Sequence, residues 1–207
     1  MTGRPEAHSN ARLEAFCDGV FAFALTLLII DVRVPAMDSI AGTPELWRAL
    51  EHLTPSVSAF LLSFVVIFIT WVNHHGTLKL VRKSSAPFMY ANGFLLLTVV
   101  FIPFPTALLG ASVLTDHAAP AVALYDAVLA VQAIAWLFLS FAALKGHLPA
   151  DEQATAAIHK QRTSGYFAFT LYSLLAISAF WFPLVAAIIT GITWLVWLTF
   201  SIRLKHT

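Results

Sequence analysis

A carboxylate, a thiol and a pair of imidazoles sit inside or beside long apolar runs of this chain. Cys17 and Asp18 follow Phe16 just before the run Val20–Ile30, and Asn73, His74 and His75 close another run. A carboxylate left uncompensated at membrane depth costs about 3 kcal/mol, so Asp18 requires a partner. Arg12 is six positions away and is not a direct neighbour on a helix, where contacts fall at three or four residues. The partner is therefore expected from a second helix, as an Asp18–Asn73–His74 hydrogen-bond network tying two helices together. The same pair, Asp18 and His74, would also serve a proton relay in a proton-coupled secondary transporter. Adjacent histidines on a helix point about 100° apart and make a poor bidentate site, so no metal or other cofactor is expected. Paired carboxylates, a Ser–His set and a His-x-x-x-His pair are all missing at membrane depth, so the chain reads as no enzyme.

Composition limits what can surround these groups. Hydrophobic residues make up 59% of the 207 positions and charged residues 11%, against roughly 25% charged in a soluble domain. The chain therefore takes the lipid bilayer as its solvent. A net charge of +1 gives no reason to expect a nucleic-acid partner. Cys17 is the sole cysteine, which rules out an intrachain disulfide. Val20–Ile30 is followed by Asp31-Val-Arg-Val-Pro rather than a small-residue cleavage site, so it reads as a retained helix and not a signal peptide.

A spanning helix needs about 20 mostly apolar residues, and six segments qualify: 13–34, 53–72, 87–109, 118–144, 164–182 and 183–202. The chain is thus expected to be one all-α integral membrane domain, residues 1–207, with six transmembrane helices. Pro183 either separates the last two or kinks a single helix, and a turn is the simpler reading. Arg4, Arg12, Lys79, Arg82, Lys83, Lys145, Lys160, Arg162, Arg203 and Lys205 fall on one side, leaving Arg33 and Arg48 on the other. By the positive-inside rule both termini lie in the cytoplasm of a cell that carries the protein in its plasma membrane. The six tryptophans fall mostly near span ends, as an interfacial belt would place them. Asp126 is assigned to the outer start of the fourth helix, Ser140, Thr170 and Ser178 to bonds with their own helix backbone, and Pro103 and Pro105 to a bend or end of the third. The second half does not echo the first, so a pathway on a symmetry axis would have to come from several copies.

At 100° per residue, Phe16, Gly19, Phe23, Thr26, Leu27 and Ile30 share one stripe of the first helix. That stripe is either a helix–helix contact face, with Gly19 permitting close approach, or the wall of a pore. Periodicity does not choose between them.

The segment from Arg12 through Phe16-Cys17-Asp18-Gly19-Val-Phe-Ala to Thr26-Leu-Leu resembles the first-helix signature of the prokaryotic transmembrane protein 175 family, potassium-permeable channels related to the lysosomal potassium channel of animals. Trp71-Val-Asn-His-His75 and Phe101-Ile-Pro-Phe-Pro-Thr-Ala-Leu-Leu-Gly110 look like two further blocks of that family. The resemblance implies a homotetramer with the first helix lining a central pore for monovalent cations, potassium above all. Carried over by position, Phe23, Thr26, Leu27 and Ile30 would line it, forming a hydrophobic constriction and a threonine layer. Arg12, Phe16, Cys17, Asp18, Asn73 and His74 would form the packing network that holds the helix. Two positions depart from the pattern. Cys17 stands where the family has serine, exchanging a strong hydroxyl for a weak thiol, and Phe23 stands where a smaller branched aliphatic residue is usual.

Overall fold

The computed structural model describes residues 10–36, 38 and 40–203, and every element among them is helical apart from one isolated β-bridge. In chain order they are α1 (Ala11–Leu27), a 3-10 turn (Leu28–Asp31), α2 (Thr43–His52), α3 (Thr54–Leu80), α4 (Ala86–Phe101), α5 (Pro103–Ser112), α6 (Ala118–Lys145), α7 (Glu152–Ser178) and α8 (Pro183–Arg203). Proline has no N–H to lose at a helix start. Pro44, Pro55, Pro87, Pro103 and Pro183 all stand in the first turns of their helices.

Among the described residues four stretches are long and apolar enough to cross a membrane: Ala11–Asp31, Thr54–Leu80, Ala86–Ser112 and Ala118–Lys145. The six-helix order of the sequence reading has counterparts in α7 and α8, but α7 spends its first three turns on the polar stretch Glu152–Arg162. That helix starts twelve residues before the expected Ser164, because Asp151 caps it by accepting the amide of Ala154 at 2.7 Å and because Ala154 and Ile158 are buried. Helix α3 likewise continues past Val72 to Leu80. Residues 179–182 turn the chain between α7 and α8, with Pro183 opening the latter. The short amphipathic helix α2 was not foreseen. Arg4 and Lys205 of the charge count lie outside the described residues.

Ile102 separates α4 from α5, since the Pro103 ring lacks the N–H that would continue the ladder. The Ile102 amide reaches back only three residues, to Val99, at 3.2 Å. Just beyond, Gly110 lets α5 press onto the start of α3: a Cβ at this position would sit 2.8 Å from the Ser56 Cα.

The helices enclose two buried clusters. One centres on Phe21, Leu28, Val66, Ile67, Val99 and Leu129; the other joins Leu78, Phe88, Leu95, Leu139 and Ile158. At one end of the bundle the α3–α4 turn is tied to the α6–α7 turn by Arg82 N to Leu148 O at 3.0 Å and Ala150 N to Leu80 O at 2.9 Å. The Arg82 guanidinium also donates to the Ala150 carbonyl. Asn10 pins the start of α1 to the same place, donating to the Val81 carbonyl at 3.0 Å and accepting from the Ser84 hydroxyl at 2.7 Å.

Gly110→Ala should lower stability by about 1–3 kcal/mol, the usual cost of overpacking against backbone. Gly93→Ala, in the interior of α4 with a Cβ that meets nothing within 4 Å, should hold or raise it, by up to about 1 kcal/mol. Thermal unfolding of the purified protein in detergent, read by monodispersity, checks the pair.

Candidate functional site

Helix α1 has two unlike faces. Glu14, Cys17, Asp18, Phe21, Ala24 and Leu28 recur at helical spacing and point into the bundle, with Cys17, Phe21, Ala24 and Leu28 buried. Roughly opposite on the helical wheel, Phe16, Gly19, Phe23, Thr26 and Ile30 are exposed on the protomer, with Leu27 at the margin. Phe23 is 61% exposed and Ile30 66%.

The inward face is held by polar bonds. Trp71 Nε1 donates to Asp18 Oδ1 at 2.8 Å. His74, fully buried, lies with Nε2 2.6 Å from Asn92 Oδ1. An amide oxygen only accepts, so Nε2 carries the proton. Asn92 Nδ2 in turn donates to Cys17 Sγ at 3.1 Å. One asparagine on α4 therefore joins α3 to α1. A turn earlier on α1, Glu14 Oε1 lies 2.9 Å from His75 Nδ1, an ion pair when the imidazole is protonated. Rings fill the space between: Phe21 packs on His74 at 5.3 Å between centroids, and Trp71 stacks on His75 at 6.0 Å.

The expected Asp18–Asn73–His74 grouping is therefore corrected in its partners. Asp18 takes the indole of Trp71, and His74 takes Asn92. Asn73 lies one position off this face, with its side chain exposed and its carbonyl accepting from Thr77. Arg12 and Phe16 are exposed and contribute no bond to the network. Asp18 and His74 are bonded to these partners and not to each other. Among the described residues no three His, Cys, Asp or Glu side chains cluster as metal ligands would.

On the outward face the Thr26 hydroxyl donates to the Phe23 carbonyl at 2.8 Å. Its proton is thus committed to the backbone and its oxygen lone pairs are left free to accept. A Cβ built on Gly19 would meet nothing within 4 Å, so the close approach a glycine allows is not used inside the protomer.

Two further buried polar groups stand out, Ser63, to which the sequence reading assigns no role, and Asp126, which it places elsewhere. Ser63 bonds to Thr106 at 2.6 Å and to the Tyr125 hydroxyl at 2.9 Å, joining α3, α5 and α6. Asp126 is fully buried and accepts from Thr190 of α8 at 2.7 Å. It stands more than two turns inside α6 rather than at its outer start. Ser178 does bond to its own helix, at the Leu175 carbonyl, whereas the buried Ser140 hydroxyl has no partner. Trp194 is buried against Tyr172 and not at an interface, and Trp71 is the donor to Asp18.

The comparisons bear on this helix directly. Residues 12–103, from the start of α1 to the start of α5, match the model of the endosomal/lysosomal potassium channel TMEM175 family. A protein of Chamaesiphon minutus named as a potassium channel is 41% identical over 80% of this chain and 83% of its own length. The chain belongs to the TMEM175 family. A Streptomyces collinus protein, also named a potassium channel, is 42% identical over 68% of this chain and 65% of its own length. The crystal structure of a lysosomal potassium-selective channel TMEM175 homolog from Chamaesiphon minutus superposes with a TM-score of 0.81 at 33% identity, over 93% of this chain and 97% of that one. The family matches the fold as well as the sequence, and these TMEM175 relatives are channels rather than enzymes. The chain is a multi-pass membrane protein of that fold.

Trp71→Phe leaves Asp18 without its N–H donor, and Asn92→Leu strands His74 and Cys17 together. Each should cost about 0.6–1.7 kcal/mol, the range for side-chain hydrogen bonds within membrane bundles. Cys17→Ser offers Asn92 a stronger acceptor and should hold or raise stability. Thermal denaturation of the three variants in one detergent gives the order.

Proposed function

We propose that this chain assembles as a homotetramer whose four α1 helices surround a passive, potassium-permeable path across the plasma membrane, with both termini cytoplasmic. The observation that carries this reading is the outward face of α1. Phe23, Thr26 and Ile30 are exposed on a helix whose other face is pinned by three polar contacts, at Glu14, Cys17 and Asp18. A face turned to lipid has no use for Gly19 and Thr26, whereas a face turned to three copies of itself uses both. Six transmembrane helices per protomer place the termini on one side, the side of Lys79, Arg82, Lys83 and Lys145.

In this arrangement Phe23, Leu27 and Ile30 form hydrophobic constrictions, which gate by excluding water. Between the rings of Phe23 and Leu27, four Thr26 hydroxyls form a layer. Each already spends its proton on the Phe23 carbonyl, so four oxygens face the axis as acceptors able to replace part of a cation's hydration shell. Few polar ligands hold the ion, so discrimination between potassium and sodium is modest. Four Phe23 rings make a bulkier constriction than branched aliphatic residues would.

Liposome flux tests this. Phe23→Ala and Leu27→Ala should widen the constriction and raise potassium flux severalfold, and Thr26→Val should lower the preference for potassium over sodium. Flux unchanged in all three would count against an α1 pore. A fixed dependence on a second ion would point to the coupled carrier instead.

A further inference from the structure

An open groove of about 420 Å³ runs between the first turns of α4 and the last turns of α6. Its walls are Tyr90, Ala91 and Phe94 on one side and Phe138, Phe141 and Ala142 on the other. Ala91 and Ala142 are small and leave the trough. Phe94 and Phe138, 6.0 Å apart between centroids, close one end. Nothing polar lines it but the phenol of Tyr90, which is 82% exposed. The groove is open along its length, and its lining is that of a membrane interior.

The other end of the groove is basic. Lys145, on the turn of α6 after Phe141, carries its ammonium 5.7 Å over the Phe141 ring. Lys83 is exposed in the turn that leads into α4. The Val81–Pro149 bridge binds that turn to the one after α6, so both lysines stand at the same end of the bundle. Asp151, the nearest acidic residue along the chain after Lys145, is committed to capping α7.

We propose that this groove binds one anionic phospholipid, its acyl chain lying between Phe94 and Phe141 and its headgroup held by Lys145 and Lys83. An apolar trough alone would accept any chain. Lys145 at its mouth, with Lys83 at the same end of the bundle, selects negative headgroups, a cation near the surface being worth roughly fivefold in retention, and an exposed tyrosine in the lining is the side chain that settles at headgroup depth. The inference rests on the chain lying in a membrane and not on what it conducts.

The test uses the full chain in vesicles of mixed phosphatidylglycerol and phosphatidylcholine, either lipid carrying a photoactivatable group in its acyl chain. Labelled peptides should come from α4 and α6 around Tyr90 and Phe141, with the phosphatidylglycerol probe favoured over the phosphatidylcholine probe severalfold. Lys145→Gln should cut that preference about fivefold without removing the label, and Ala142→Trp should remove it by filling the trough. Lys145 is at the surface, so its variant stays informative should Ala142→Trp fail to fold. Label spread evenly over the helices, or equal labelling by both lipids that Lys145→Gln leaves unchanged, would overturn the proposal. So would an unlabelled groove in which Tyr90→Cys cross-links one protomer to another, since a second copy would then occupy it.

Discussion

A buried imidazole and a carboxylate within a membrane bundle must find their partners inside it, because lipid offers none. In this chain that constraint fixes the rotation of α1. His74 lies deep in α3, and Asn92 is within reach of it and of Cys17 at once. Trp71, nearly one turn earlier on α3, holds Asp18. Turning α1 by one residue would break both contacts and expel Phe21 from its place against His74. With one face fixed in this way, Phe23, Thr26 and Ile30 can point only away from the protomer. A pore built from that face therefore inherits its geometry from bonds that never touch the ion.

Much of this helix was legible in the sequence. A period of 3.6 residues separates the exposed stripe from the inward one without any structure, and the need of Asp18 for a partner on another helix follows from its position alone. The partner itself was misjudged for two identifiable reasons. Trp71 stands near a span end, where an interfacial tryptophan is also expected, but its indole N–H is a donor that must be spent somewhere when it is drawn into the bundle. Asn92 is a lone amide inside an apolar run, and at that depth it must be hydrogen-bonded within the bundle as an aspartate must. Asp126 differs for another reason: the start of the fourth span at Ala118 is legible, but a carboxylate two turns inside it is not driven to the interface, because the Thr190 hydroxyl of α8 satisfies it within the bundle.

Helix limits show the same division. Apolar length identifies the membrane-embedded portion, whereas the helix continues wherever caps and packing support it. Asp151 and the buried Ile158 extend α7 well into polar sequence, and Pro103 interrupts a run that hydropathy reads as unbroken. The oligomer is not encoded in any local pattern. The proposed assembly rests on what the protomer leaves uncovered, a glycine with open space over it and a threonine whose oxygen still has lone pairs to offer.

The central claim is that α1 turns one face inward and the other toward an ion path. Cysteines placed singly at positions 21 to 30 in a Cys17→Ser background, each exposed to a water-soluble thiol reagent during potassium flux, test it most directly. The account predicts block at Phe23, Thr26 and Ile30 and none at Phe21, Ala24 and Leu28. Block at the inward positions, or at none of the ten, would contradict it.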